Sequence, residues 1–86
     1  MYNTKVYTNL FEDEVSEILS ELSNADYIVC DNIEYNICYF VDYDGIRIPE
    51  NDLFLFVDKL GNRGRTNKKF LIDKLSHNSF IVNQYQ

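Results

Sequence analysis

Residues Ile33 to Ile48 read IEYNICYFVDYDGIRI, and this stretch decides the fold. Its odd positions, Ile33, Tyr35, Ile37, Tyr39, Val41 and Tyr43, form an unbroken apolar row with the period of two that a strand imposes. The even positions, Glu34, Asn36, Cys38, Phe40 and Asp42, are mostly polar. Asp44-Gly45 follows, a pair that tolerates the positive φ angles of a two-residue hairpin turn. With those two residues as the loop, Tyr43 faces Ile46, Asp42 faces Arg47 and Val41 faces Ile48. Turn chemistry and apolar alternation therefore agree on one register.

Working outward, Tyr27 to Cys30 reads as the strand before this hairpin, joined to it by a tight turn at Asp31-Asn32. That turn sets Cys30 opposite Ile33 and Ile28 opposite Tyr35, which gives an antiparallel meander over 27–48. Upstream, Asn9 and Glu12 fit a capping box, and Leu10, Phe11, Val15, Ile18, Leu19 and Leu22 recur at helical spacing. The spacing predicts an amphipathic helix over 9–23. Residues 2–7 read as a short edge strand. Downstream, Pro49 ends the third strand, because proline has no N–H to give to a ladder. For Leu53 to Leu60 the preceding Asn51-Asp52 and the following Gly61 favour a helix, although the run LFLFV is equally that of a buried strand. Residues 62–67, NRGRTN, read as a flexible basic loop. Thr66 or Asn67 then starts a second short helix carrying Phe70, Leu71 and Leu75, and Phe80 to Tyr85 reads as a last strand. The expected fold is a single α+β domain over residues 1–86. It has an N-terminal acidic helix on a three-to-five-stranded, mainly antiparallel sheet, and two short helices after the meander.

Eighty-six residues, 45% hydrophobic and 15% aromatic, supply enough apolar side chain for one core. Charge is segregated along the chain. Residues 12–58 hold thirteen acidic side chains and one basic, Arg47, whereas residues 59–86 hold six basic and one acidic, Asp73. The total with Lys5 is −6. No apolar run approaches the roughly 20 residues that span a bilayer, and the start of the chain lacks the basic-then-apolar order of a signal peptide. A cytoplasmic protein is expected, with Cys30 and Cys38 as reduced thiols.

Several chemistries find no support in these residues. Residues 61–64, GNRG, lack both the length of a phosphate-binding loop and its Lys-Ser/Thr. His77 is the only histidine, and it sits beside Ser76 and Ser79 at what reads as a helix terminus, where a surface or capping role is expected. Asp42, Asp44, Glu50 and Asp52 cluster in sequence but lack the alternation of a calcium loop and its terminal Glu. No enzyme activity, cofactor or metal is expected. Two binding surfaces remain. Glu12, Asp13, Glu14, Glu17 and Glu21 on the first helix, with Glu34 and Asp42 on the meander's outer face, would steer onto a basic protein target. Tyr27 and Phe40, on the non-core face of the sheet, would anchor it. Alternatively, Arg63, Arg65, Lys68 and Lys69 within the basic segment 59–74 would track a nucleic-acid backbone.

In size, acidity and lack of catalytic apparatus, the chain resembles the small inhibitors carried by phages and mobile elements: anti-CRISPR proteins, anti-restriction DNA mimics and immunity proteins. The resemblance rests on no motif. It implies stoichiometric inhibition of a host nucleic-acid enzyme by protein–protein contact. A homo-oligomeric structural or accessory phage protein is a third reading, which implies self-association.

Overall fold

The structure is a computed structural model that describes residues 1–31, 36–42 and 52–86. Its elements run β1 (Tyr2–Thr8), α1 (Glu12–Ser20), β2 (Tyr27–Asp31), β3 (Asn36–Asp42), β4 (Leu53–Val57), β5 (Arg63–Asn67), α2 (Lys68–Leu75) and β6 (Ser79–Tyr85). The strands form one six-stranded antiparallel sheet in the order β1-β6-β2-β3-β4-β5. Both helices lie on the same face of the sheet.

This corrects the expected fold class on four counts. The edge strand expected over 2–7 is β1, so the acidic helix comes second and is not N-terminal. The sheet has six strands, not three to five. Leu53–Val57 is a strand, not a helix. Residues 63–67, read as a loop, form strand β5. The physical reason is shared. In β4, Phe54 is fully buried while Leu53 and Leu55 are exposed, the alternation of a half-buried strand. In β5, Gly64 and Thr66 alternate with exposed Arg63, Arg65 and Asn67. Hydropathy cannot show that β5 belongs to the sheet, because its inward positions are a glycine and a threonine. Phe56, directly across the ladder from Gly64, fills the space instead. A Cβ on Gly64 would lie 2.6 Å from the tip of the Phe56 ring.

The β2–β3 register is also corrected. Cys30 faces Ile37 and Ile28 faces Tyr39, so the pairing has slipped by four residues from the two-residue turn at Asp31-Asn32. An even slip returns every side chain to the same face. Ile28 and Cys30 with Tyr39 and Val41 therefore line the core, and Ile37 packs against it. The expected placements of Asn32, Ile33, Glu34 and Tyr35, the turn Asp44-Gly45 with Tyr43, Ile46, Arg47 and Ile48, and the strand end at Pro49 lie outside the described residues. On the described side, Val41 faces Phe54 and Asp42 faces Leu53 of β4.

Helix α1 starts later than its spacing predicted. Asn9 takes a left-handed conformation (φ 57°) in place of a cap, and the Phe11 N–H donates to the Glu14 carboxylate at 3.2 Å. The reach-back arm of a capping box is thus present two residues downstream of the expected pair. Val15, Leu19 and Leu22 are buried against the sheet, with Leu10 and Ile18 at the margin, whereas Phe11 is exposed and meets the edge of the His77 ring. Helix α2 follows its expectation. The Asn67 side chain accepts from the Phe70 N–H at 2.8 Å, and Leu71 and Leu75 are buried beside α1.

Between β4 and β5 the chain turns through Asp58 to Asn62. The Asp58 carboxylate accepts from the Leu60 N–H, the Asn62 N–H and the Asn62 amide, each at 2.9 Å. Gly61 (φ 85°) supplies the left-handed residue that the turn requires. The Asn62 bonds, first that from its side chain, hold the Asp58 carboxyl below its ordinary value.

Candidate functional site

Two surfaces lie on opposite sides of the molecule. The first is the outward side of α1. Glu12, Asp13, Glu14, Glu17 and Glu21 are all exposed, and no basic residue interrupts Glu12–Ser20. The buried stripe of Val15, Leu19 and Leu22 faces the sheet and forces these carboxylates outward. Along their inner edge, Glu14, Glu17 and Glu21 line a cavity of about 240 Å³ with Tyr7, Leu10 and Ile18. Carboxylates over an aromatic and aliphatic wall suit a lysine or arginine, whose stem is apolar and whose head is charged. Lys5 reaches over the same Tyr7 ring, 5.2 Å from its centre. Tyr7 belongs to the strand before the helix, so helical spacing alone did not associate it with these acids.

The second surface is the sheet face that the helices leave open. Successive registers lay two rungs across all six strands. One runs Thr4, Asn83, Tyr27, Phe40, Leu55, Arg65, and the other Val6, Ile81, Val29, Cys38, Val57, Arg63. Tyr27 and Phe40 therefore stand side by side on the non-core face, ring centres 5.6 Å apart, as the alternation of β3 predicted. Tyr2 continues the aromatic row, with its ring edge-on to both Tyr27 and Tyr85. Beneath these rings Asn83 is buried and accepts from the Thr4 hydroxyl at 2.6 Å. Val6, Leu55 and Val57 were not singled out from the sequence. Their signal is alternate spacing on β1 and β4, which shows only once both segments are recognised as strands.

The expected partner surface is thus divided. The helix acids lie on one side of the sheet, and Tyr27 and Phe40 on the other. Asp42 is half-buried on the open face and takes an ion pair from Arg65 at 2.9 Å, while Arg47, its expected partner, lies outside the described residues, as does Glu34. The four cations of the alternative reading are divided too. Arg63 and Arg65 project from β5 on the open face, whereas Lys68 and Lys69 start α2, and the Lys68 ammonium donates to the Ser20 hydroxyl of α1 at 2.6 Å.

The remaining nucleophiles have structural roles. Ser76 donates its hydroxyl to the Ile72 carbonyl, and Ser79 shares a hydrogen bond with Thr8 across β1 and β6. The exposed His77 ring lies against Phe11, with Nδ1 3.4 Å from the Asn9 side-chain oxygen. Burial pushes the Cys30 thiol up to about 11 and raises that of Cys38, which favours the protonated thiol over the nucleophilic thiolate. Among the described residues, no three His, Cys, Asp or Glu side chains converge on a possible metal position, and no helix is long and apolar enough to cross a membrane.

Comparison with known proteins finds no match, whether to a family model, a curated protein or a solved structure.

Proposed function

We propose that this chain is a binding protein that works by occupying a basic surface of a protein partner with the acidic side of α1. On this reading it is a stoichiometric inhibitor of a nucleic-acid enzyme, of the kind that phages and mobile elements carry. The observation that carries the proposal is that all five carboxylates between Glu12 and Glu21 are exposed, with no basic residue among them. Five charges over nine residue steps span roughly 13.5 Å of helix, a dense anionic surface. A surface of that density competes for the lysines and arginines that hold a phosphate backbone. The cavity bounded by Glu14, Glu17 and Glu21 gives one such side chain a place to insert. Arg63 and Arg65 project from the other face of the sheet, whereas Lys68 reaches α1 only at Ser20 and Lys5 lies over the Tyr7 ring, so five carboxylates face at most two cations there.

The test is capture from host lysate with the tagged chain, with and without nuclease, at low and moderate salt. One stoichiometric protein that survives nuclease is the expected result. Capture that vanishes with nuclease would overturn the proposal and move binding to the cations of β5 and α2. The structure also selects the variant. Glu14 braces the start of α1 through the Phe11 N–H, so reversing it would disturb the helix as well as the surface. Glu17→Lys with Glu21→Lys changes charge alone. It is expected to weaken capture at least tenfold while leaving thermal unfolding within a degree or two.

A further inference from the structure

The two edges of the sheet are not alike. β5 is short, contains Gly64 and carries Arg63 and Arg65, features that discourage a further strand. β1 runs seven residues without proline or glycine, and Lys5 is its one charge. The ladder shows which of its backbone groups are free. The Met1 C=O accepts from the Gln86 N–H at 2.8 Å, and the Asn9 N–H donates to the Asn78 C=O at 3.4 Å. Both pairs continue the β1–β6 register. Hydrogen-bonded pairs alternate along an antiparallel ladder, so Asn3, Lys5 and Tyr7 bond to β6 while Tyr2, Thr4 and Val6 turn their N–H and C=O groups outward. No group among the described residues takes these up.

Helix α1 walls one side of this edge. α2 meets α1 at Ser20, through the Lys68 ammonium. Away from that contact, Glu14, Glu17 and Glu21 share their cavity with Tyr7, a residue of the edge strand itself. The unpaired backbone and the carboxylates are thus neighbours.

We infer that the free edge of β1 accepts an extended segment of the partner protein as a seventh strand, antiparallel to β1, with lysine or arginine at alternate positions. The inference rests on the reading of α1 given above and adds the conformation of what it binds. Backbone geometry selects a strand, because only a strand satisfies a row of outward ladder groups. The two faces select its side chains. Those on the helix side reach the three carboxylates over the Tyr7 ring, where a cation on an apolar stem fits. Those between them lie beside Tyr2 and Val6, which are 44% and 64% exposed, and are apolar. Lys5, over the same ring, leaves the three carboxylates in excess. The Asp42–Arg65 ion pair belongs to β3 and β5, with β6 and β2 between it and this edge. A second copy is the poorer occupant. Pairing β1 with β1 about an axis normal to the sheet would set the two α1 flanks along one seam, opposing six carboxylates with two lysines between them.

A seven-residue peptide of alternating valine and lysine, matched to β1 in length, tests the inference by fluorescence anisotropy. In the inferred pairing the valine amides face β1. N-methylation of the valine amides should therefore abolish binding, and N-methylation of the lysine amides should preserve it. Replacing lysine by glutamate should also abolish it. Val6→Pro removes an outward N–H that the fold does not use, so the chain should still fold and should bind the peptide about tenfold more weakly or worse. Equal affinity for the two methylated peptides would overturn the inference, as would no binding of the parent peptide at several hundred micromolar. Self-association of the chain alone that Val6→Pro abolishes would assign the edge to a second copy and overturn it too. Capture from lysate separates this inference from the reading beneath it. A partner lost with Glu17→Lys and Glu21→Lys but kept by Val6→Pro would overturn the added strand alone; a partner kept by all of these variants would overturn both.

Discussion

Asp26 is 4% exposed, yet both of its carboxylate oxygens are occupied. One accepts from the Ser23 N–H at 2.8 Å and from the Ser23 hydroxyl, and the other accepts from the Tyr85 N–H at 2.8 Å, so a single side chain ties the end of α1 to the last strand. Asp26→Ala would leave buried donors without acceptors, and a loss of about 2–3 kcal/mol is expected in urea unfolding. Gly64 fails by the opposite route. Gly64→Ala pushes against the Phe56 ring and is expected to cost about 1–2 kcal/mol, with the cost relieved when Phe56→Leu is added. Neither role was legible in the sequence. Asp26 serves a strand 59 residues further on, and Gly64 meets Phe56 only because segments expected as a helix and a loop are paired strands.

Among the elements, α2 was the most legible, since its signals are local. Asn67 caps it and Leu71 and Leu75 recur at helical spacing; Asn67→Ala is expected to cost about 1 kcal/mol, read as a lower unfolding temperature. The faces of β2 and β3 were equally legible, because alternation survives any even shift of register. The register itself was not, since residues 30 and 33 invite a tight turn that the ladder does not use. In β4 the flanking cap and glycine pointed to a helix, and tertiary pairing overrode them. Phe54 has Val41 on one side and Thr66 on the other and is removed entirely from solvent. Phe54→Ala is expected to lose about 3–5 kcal/mol, a large part of a small domain's stability. At the candidate site, the acids of α1 were legible because a helix displays its polar positions to solvent. Their separation from Tyr27 and Phe40 was not, because it depends on which face of the sheet the helix covers.

For the molecule as a whole, stability should be lost on the alkaline side. Burial pushes Cys30 to about 11 and Tyr39 to about 12, against ordinary values of 9.0 and 10.0. Folded-state values above unfolded ones mean that the folded chain holds these protons more tightly. Their contribution is complete below about pH 9 and is lost as pH rises through about 11. The unfolding temperature is expected to be flat up to pH 9 and to fall between 9 and 11, less steeply in Cys30→Val. A decline that begins near pH 7 would show that other groups govern it.

The strand order carries a consequence for how the chain is made. β6 is the last strand in sequence, yet it lies between β1 and β2, and Thr8 finds its hydrogen-bonded neighbour 71 residues away at Ser79. On the ribosome, β1 therefore waits through the synthesis of every other element, and one edge of β2 waits with it. The sheet cannot close before Tyr85 has been added. Pairing over such a separation places folding in the slow regime of milliseconds to seconds. A nascent chain stalled within α2 would leave β1 without its only ladder partner.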